Sequence, residues 1–468
     1  MSMRSESPVR RGLRFAVLEA VVVGGMFAAT EAWLVPLFQV SLGATAFLVG
    51  LLAVIPQILS ILAGPWAKVA IAWLGGNKRA SLLLNGLQVA CLLLLSVPLH
   101  FRTESWAVPV AMALIITLNG SFGLAGPAWL AWMGDLIPPT VRGRYSAHRT
   151  RLFHLARLSC AGLFAVVISF LPIAESVAGL QIVLVVAAVS RLASAWCMAQ
   201  QPEVLPRASS SLRSESQVRE GEVTSLRQFI ARLAVSPMGR WTLVWAVLNG
   251  GVMISGPFFQ SYMLAKAEVG GLGLADQPFV FLVLIYTSTV IRLLCYPVAG
   301  RLVDLHGPAA CLRVAVVGIF VVPVLWSIWL HPAAIFVGEI VSGMAWAVAE
   351  CAIGVLQFGC HRDPAQRAQL LGWLQTVCGV FTLAGSVLGT LLMTPGLLPT
   401  ITGSTYHGVF LASAAIRLVA VILALRLLPP MKDLPGEPGL WHLIPGVSLA
   451  ARARQNLLTL FRRADEGD

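Results

Sequence analysis

Residues 14–25 read RFAVLEAVVVGG, and 226 positions later residues 240–251 read RWTLVWAVLNGG. The Arg, the Ala-Val pair and the Gly-Gly pair fall in register, and an aromatic follows the Arg both times. Two further matches keep the spacing. Pro139-Thr-Val-Arg142 returns as Pro364-Ala-Gln-Arg367 after 225 residues, and Arg191 in AAVSRLASA returns as Arg417 in SAAIRLVAV after 226. Three matches, in one order and at nearly one offset, imply a duplicated unit.

The duplicated unit is apolar. Hydrophobic residues make up 57% of the 468 residues and charged residues 12%, against about 25% charged in soluble domains. The apolar residues fall in blocks of roughly 20 to 28, long enough to cross about 30 Å of hydrocarbon as helix. Twelve such spans are expected: 15–38, 45–73, 79–99, 106–133, 152–173, 179–200, 240–264, 278–300, 309–330, 333–358, 369–394 and 409–428. None alternates apolar and polar residues as a barrel strand does. The expected fold class is an all-α polytopic membrane protein, with twelve transmembrane helices in two pseudo-symmetric six-helix bundles.

Charge sets the expected orientation. With the N-terminus inside, 25 of the 33 Lys and Arg fall in cytoplasmic segments, two (Arg102 and Lys266) fall outside, and six lie within spans. This is a strong positive-inside pattern. It places the chain as multi-pass in the plasma (inner) membrane with both termini cytoplasmic. The net charge of +12 then reflects topology and attraction to anionic lipid, not nucleic-acid binding, which needs basic residues gathered on one folded surface. The expected organisation is a cytoplasmic N-terminus (1–14), a first six-helix bundle (15–200), a cytoplasmic linker with an amphipathic helix (201–239), a second six-helix bundle (240–428) and a cytoplasmic tail (429–468).

The N-terminal span lacks a small-residue cleavage site and carries Glu19 and Glu31, so it reads as a retained helix, not a signal peptide. The eight cysteines are scattered singly, with no CxxC pair, and imply no disulfide framework. Cys360-His361 alone is too few ligands for a metal site. No cofactor is expected. In the linker, Leu226, Phe229, Ile230 and Leu233 stand at helical spacing behind a possible cap, Ser225, which reads as a short amphipathic helix on the inner membrane surface. Leu449, Leu457, Leu458, Leu460 and Phe461 with Arg452, Arg454, Arg462 and Arg463 form a second such stretch in the tail.

Six spans, a basic linker and six spans resemble the major facilitator superfamily over nearly the whole chain. The most specific local match is Gly300-Arg-Leu-Val-Asp-Leu-His-Gly307 between spans 8 and 9. It is similar to the family's GxLaDrxG loop signature, with Gly300, Asp304 and Gly307 on the key positions. The resemblance implies that Asp304 caps a helix and pairs with basic residues to stabilise one alternating state. The first-half loop has Ala72 where Asp304 aligns and Gly75 where Gly307 aligns, and keeps the basic end in Lys78 and Arg79. Pro139-Thr-Val-Arg142-Gly143-Arg144 resembles the family's cytoplasmic Pro-x-x-Arg-Gly turn. The marks of proton-coupled exporters are missing. Span 4 has Ile116-Thr-Leu-Asn119-Gly120, with Ile where those proteins carry Arg, and span 5 has no Gly-Pro.

Within the spans, polar residues are costly: a charge at a helix centre costs roughly 2.5–3.5 kcal/mol on insertion scales. The charged set is Glu19, Glu31, Arg157, Arg191, Arg292, Glu339, Glu350 and Arg417, with Lys68 and Arg313 near span ends. The resemblance implies that spans 1, 4, 7 and 10 line a central cavity and that 3, 6, 9 and 12 are peripheral. Glu339 and Glu350 are eleven residues apart, about three turns, and so share one face of span 10. That arrangement suits a proton relay or a cation site. Glu31, Glu19, Arg292, Asn119, Asn249 and Gln260 complete the candidates for transport or coupling, with Gly300, Asp304, Gly307 and Arg142 in the switch loops. The alternative role for each Glu is an ion pair that only fixes packing, and Arg191 and Arg417 are expected to be structural. Gly24–Gly25 and Gly250–Gly251 allow close helix approach, while Pro36, Pro56, Pro127, Pro257 and Pro297 are expected to kink helices.

The functional expectation is a secondary transporter that moves a small solute by alternating access with proton coupling. Its partners are the solute, protons and the bilayer. A polytopic membrane enzyme is disfavoured because the outer loops are short and poor in Asp, His and Ser. A sensor or scaffold acting through the linker and tail is the other alternative.

Overall fold

The computed structural model describes residues 8–36, 58–59, 61–170, 177–203, 225–274, 277–328, 331–394 and 404–431. Its main helices follow the twelve spans. They are α1 (Pro8–Pro36), α2 (Ala67–Trp73), α3 (Asn77–Leu94), α4 (Ala107–Leu136), α5 (Arg142–Phe170), α6 (Val177–Ala199), α7 (Pro237–Ser255), α8 (Pro278–His306), α9 (Pro308–Ile328), α10 (Pro332–Phe358), α11 (Pro364–Leu392) and α12 (Thr405–Leu427). A short helix, Ser96–His100, continues α3, and Phe258–Leu264 continues α7 beyond a break at Pro257. Among the described residues, ten of these helices are long and apolar enough to cross a membrane, which makes the chain a multi-pass membrane protein. The two exceptions are α2, nearly half of whose span lies outside the described residues, and α5, whose first half is rich in arginine. Pro127, Pro297 and an unanticipated Pro323 lie inside helices, whereas Pro36 ends α1 and Pro56 lies outside the described residues.

The chain divides into two compact units, 1–139 with 149–249 and 357–384, and 140–148 with 250–356 and 385–468. In the first, the Gly pair of α1 sits where two helices crowd it. A Cβ on Gly24 would stand 3.0 Å from the Arg157 nitrogen of α5, and one on Gly25 would stand 2.7 Å from the Ser190 hydroxyl of α6. Around them, Val23, Met26, Leu92, Leu118 and Leu184 build an apolar core. In the second unit the same pair recurs with the same roles. Gly250 lies against Gly385 of α11, and a Cβ on Gly251 would stand 2.9 Å from Arg417 of α12. The repeated sequence therefore makes a repeated packing. Without a side chain at either position, backbones approach closely enough for dispersion contacts that need no hydrophobic driving force in lipid.

The linker helix, Leu226–Ala231, is capped by Ser225, whose hydroxyl accepts from the Gln228 amide at 3.3 Å. Its apolar face is divided, with Phe229 buried and Ile230 exposed. Phe229 is buried against Trp373 at a ring distance of 5.6 Å, with Leu226 and Leu233 beside it. The early turns of α11 offer an aromatic partner that spacing alone does not show. The tail stretch lies outside the described residues.

The starts of α5 and α11 are capped in two ways. The Gly143 and Arg144 amides of α5 donate to the Asp304 carboxylate of α8 at 2.7 and 3.1 Å. The Ala365 and Gln366 amides of α11 donate to Asp363, one residue before that helix, both at 3.2 Å. At the repeat position of Asp363 the first half has Pro138, which offers no acceptor side chain, so α5 takes its cap from another helix. Close approach makes this possible, since a Cβ on Gly300 would stand 2.6 Å from that of Ala147. Gly307 turns the chain out of α8 at φ +86°, a conformation glycine adopts without strain. Asp304→Asn is expected to destabilise the purified protein by about 1–3 kcal/mol through weakened charged hydrogen bonds, and Gly300→Val by a similar ~1–3 kcal/mol through overpacking. Thermal unfolding in detergent measures both; melting curves identical to the parent's would refute the cap.

Candidate functional site

Three groups of polar side chains occupy the apolar interior. The first lines a cavity of about 460 Å³ between α4, α7, α10 and α11. Gly126, Pro127 and Leu130 come from α4, Trp245 and Asn249 from α7, Gln357 from α10, and Leu371, Gln375, Cys378 and Thr382 from α11. The Asn249 side-chain amide donates to the Trp245 carbonyl at 2.7 Å, which fixes its rotamer and leaves its oxygen to face other donors. Of the transport candidates named from sequence whose side chains are described, Asn249 alone lines this cavity. Gln357, Gln375 and Thr382 are the polar groups sequence reasoning missed, because neutral amides in an apolar block do not stand out as charges do.

The second group lies around a smaller cavity of about 260 Å³ in the first half, lined by residues of α1, α3, α4, α5 and α6. Glu19, buried on α1, accepts from Arg149 at 2.6 Å and from the Ser194 hydroxyl at 3.1 Å. The Arg149 guanidinium also lies over the Trp129 ring at 4.2 Å, a cation–π contact. Arg191 donates to Gln88 at 2.6 Å, to Ser194 at 3.4 Å and to Asn85. The geometry thus gives Glu19 the ion-pair partner that its alternative role requires, while leaving it on a cavity wall. The repeat equivalent Arg417 is buried too, but donates to the Ile319 carbonyl and to Ser255, both at 2.9 Å, and to no carboxylate among the described residues. Its Nε has no partner there.

The third group joins α8 and α10, two helices that run in the same direction. Ser288, Arg292 and Tyr296 follow one another at four-residue spacing on α8. They meet Ser342, Trp346 and Glu350 in the same order on α10. The Ser288 hydroxyl lies 3.2 Å from that of Ser342 and also hydrogen-bonds Glu339. Arg292 donates to Glu350 at 2.8 Å and lies over the Trp346 ring at 5.8 Å, and the Tyr296 hydroxyl donates to the same carboxylate. Glu339 and Glu350 therefore both look toward α8, with one cation between two acids. Sequence reasoning missed Tyr296, although its spacing four residues after Arg292 was the available signal.

Other named residues scatter. The Asn119 amide turns back to the Ile115 carbonyl at 2.9 Å, and Gln260 is exposed. Glu31 lies on α1, but its side chain is outside the described residues. Arg142 opens α5, half-buried. A further acid that sequence reasoning missed is Asp135 at the end of α4, which accepts from Arg367 at 2.9 Å. Arg367 is buried, and it also donates to the Ala131, His361 and Arg362 carbonyls.

No protein-family model and no curated protein matches the chain. Solved structures do. A bacterial homologue of the iron transporter ferroportin, in an outward-facing state, superimposes with a TM-score of 0.66 at 14% identity, over 89% of this chain and 98% of that one. The proton:xylose symporter XylE, of the major facilitator superfamily, gives 0.63 at 14% over 90% and 96%. The human organic anion transporter MFSD10 gives 0.61 at 17% over 88% and 100%. The fold is that of the major facilitator superfamily.

A double-mutant cycle tests the α8–α10 group. Arg292→Gln removes the cation between the two acids, and Glu350→Gln leaves it facing Glu339; each is expected to cost roughly 1–3 kcal/mol, while the double variant recovers part of that loss, because the residues are coupled. Additive shifts in chemical or thermal unfolding would mean that the pair contributes no coupling.

Proposed function

We propose that the protein is a secondary active transporter, moving a small solute across the plasma (inner) membrane by alternating access coupled to protons. The observation that carries this reading is the amide-bearing cavity between α4, α7, α10 and α11, set in a fold shared with solved transporters. The two sequence halves, 15–200 and 240–428, are the moving bundles, joined by the linker 201–239, with both termini cytoplasmic. Asn249 faces solute. Glu339 and Glu350 carry the proton, exchanging Arg292 as one or the other loses its charge, and Glu19 and Glu31 serve the same current from α1.

Contacts at one end of the helices support the alternation. Asp304 with α5, Arg367 with Asp135, and Gly372 of α11 against Gly64 tie residues of the first half of the sequence to residues of the second. In this reading they form the inner gate, which must part for release, and Arg142, Gly300 and Gly307 shape the turns on which it closes.

Reconstituted in liposomes with an imposed pH gradient, the protein is expected to accumulate or expel a labelled solute, with flux falling at least tenfold when a protonophore collapses the gradient. Glu350→Gln should abolish gradient-driven flux but retain solute exchange at equal concentrations. Flux indifferent to protonophore and to both Glu339→Gln and Glu350→Gln would reject proton coupling.

A further inference from the structure

We infer that the α4–α7–α10–α11 cavity selects an uncharged solute rich in hydroxyl or amide groups. This rests on the transporter reading, of which it names the substrate class. Among the described residues that line the cavity, none carries a charge. Its polar groups are the Asn249, Gln357 and Gln375 amides, the Thr382 hydroxyl and the Trp245 indole. Among the described residues, no hydrogen bond engages the Gln357 side chain, which lines the cavity. The Asn249 amino group is held by the Trp245 carbonyl, and among the described residues no hydrogen bond to its oxygen is present.

Amides present a donor and an acceptor side by side. Two of them, Asn249 on α7 and Gln357 on α10, match vicinal hydroxyls or another amide, and the Trp245 ring with Leu130, Leu371 and Leu374 matches an apolar face. At about 30 Å³ per water, the volume of about 460 Å³ holds roughly fifteen water-sized groups, the scale of a mono- or disaccharide or a nucleoside.

An ionised solute fares badly here, because a charge leaving water needs a counter-charge or a metal. The charges flanking the cavity are committed elsewhere: Asp135, on α4 beyond Leu130, pairs with Arg367, on α11 before Leu371. Gly126 lines both this cavity and the 260 Å³ cavity, and on the far side of it Glu19, Arg149 and Arg191 engage one another and neutral acceptors. A site built to hydrogen-bond a neutral group rejects analogues that leave its amides unpaired.

Three probes with one ring test the idea: D-glucose, D-glucosamine and D-glucuronate, alongside inositol, sucrose and uridine. Binding to the full chain in detergent is followed by calorimetry and thermal shift. At least one neutral probe is expected to bind at least tenfold more tightly than either charged hexose, with Gln357→Leu or Asn249→Leu removing that binding. Gln357→Glu should shift preference toward glucosamine, a gain that misfolding cannot produce. Equal or tighter binding of a charged hexose, or no binding by any neutral probe, overturns the inference. Liposome flux keeps the two readings apart. Flux of a charged solute alone leaves the transporter standing without its neutral cavity, whereas specific neutral binding with no flux of the bound probe leaves the cavity standing without a transporter.

Discussion

A guanidinium among apolar helices has to be met by acceptors, and the ways this chain does so organise most of its polar interior. Arg149 is met by a carboxylate and an indole face, Arg191 by two side-chain amides and a serine, Arg292 by Glu350, and Arg367 by Asp135 and three backbone carbonyls. Each solution ties together helices remote in sequence, because one side chain with five donors cannot be satisfied from its own helix. Desolvated charges are therefore cross-links between helices, and the apolar residues fill the space between them.

The duplication gives these cross-links their arrangement but not their identity. The Gly pairs keep both position and role, each presenting its first glycine to the fifth helix of its half and its second to the sixth. Arg191 and Arg417 keep position only. The first reaches Asn85 and Gln88 on α3, and the second reaches Ser255 and a carbonyl of α9. At the repeat positions of Asn85 and Gln88 the second half carries Cys311 and Val314, which offer no comparable acceptor, so Arg417 turns elsewhere. Backbone approach is kept where small residues are kept, and polar partnership drifts wherever either partner changes.

Much of this is legible in the chain before it folds. Block length, the distribution of Lys and Arg, and the offset of 226 point to the helices and the fold class, because a bilayer penalises exposed backbone and charge over a fixed thickness. Eleven-residue spacing correctly puts Glu339 and Glu350 on one face. What spacing cannot supply is the opposite wall. Tyr296, Asp135, Gln357 and Gln375 matter through neighbours far away in the chain, and neutral amides cost too little in an apolar block to stand out. The linker helix shows the same limit, since its apolar stripe is visible in sequence but the packing of Phe229 against Trp373 is not.

The two capping modes make the helix starts mechanically unequal. α11 carries Asp363 with it, so moving it away from other helices leaves its first amides satisfied. α5 borrows Asp304, and drawing α8 away strips two amides at once. The start of α5 thus depends on a second helix for its cap, whereas the start of α11 does not.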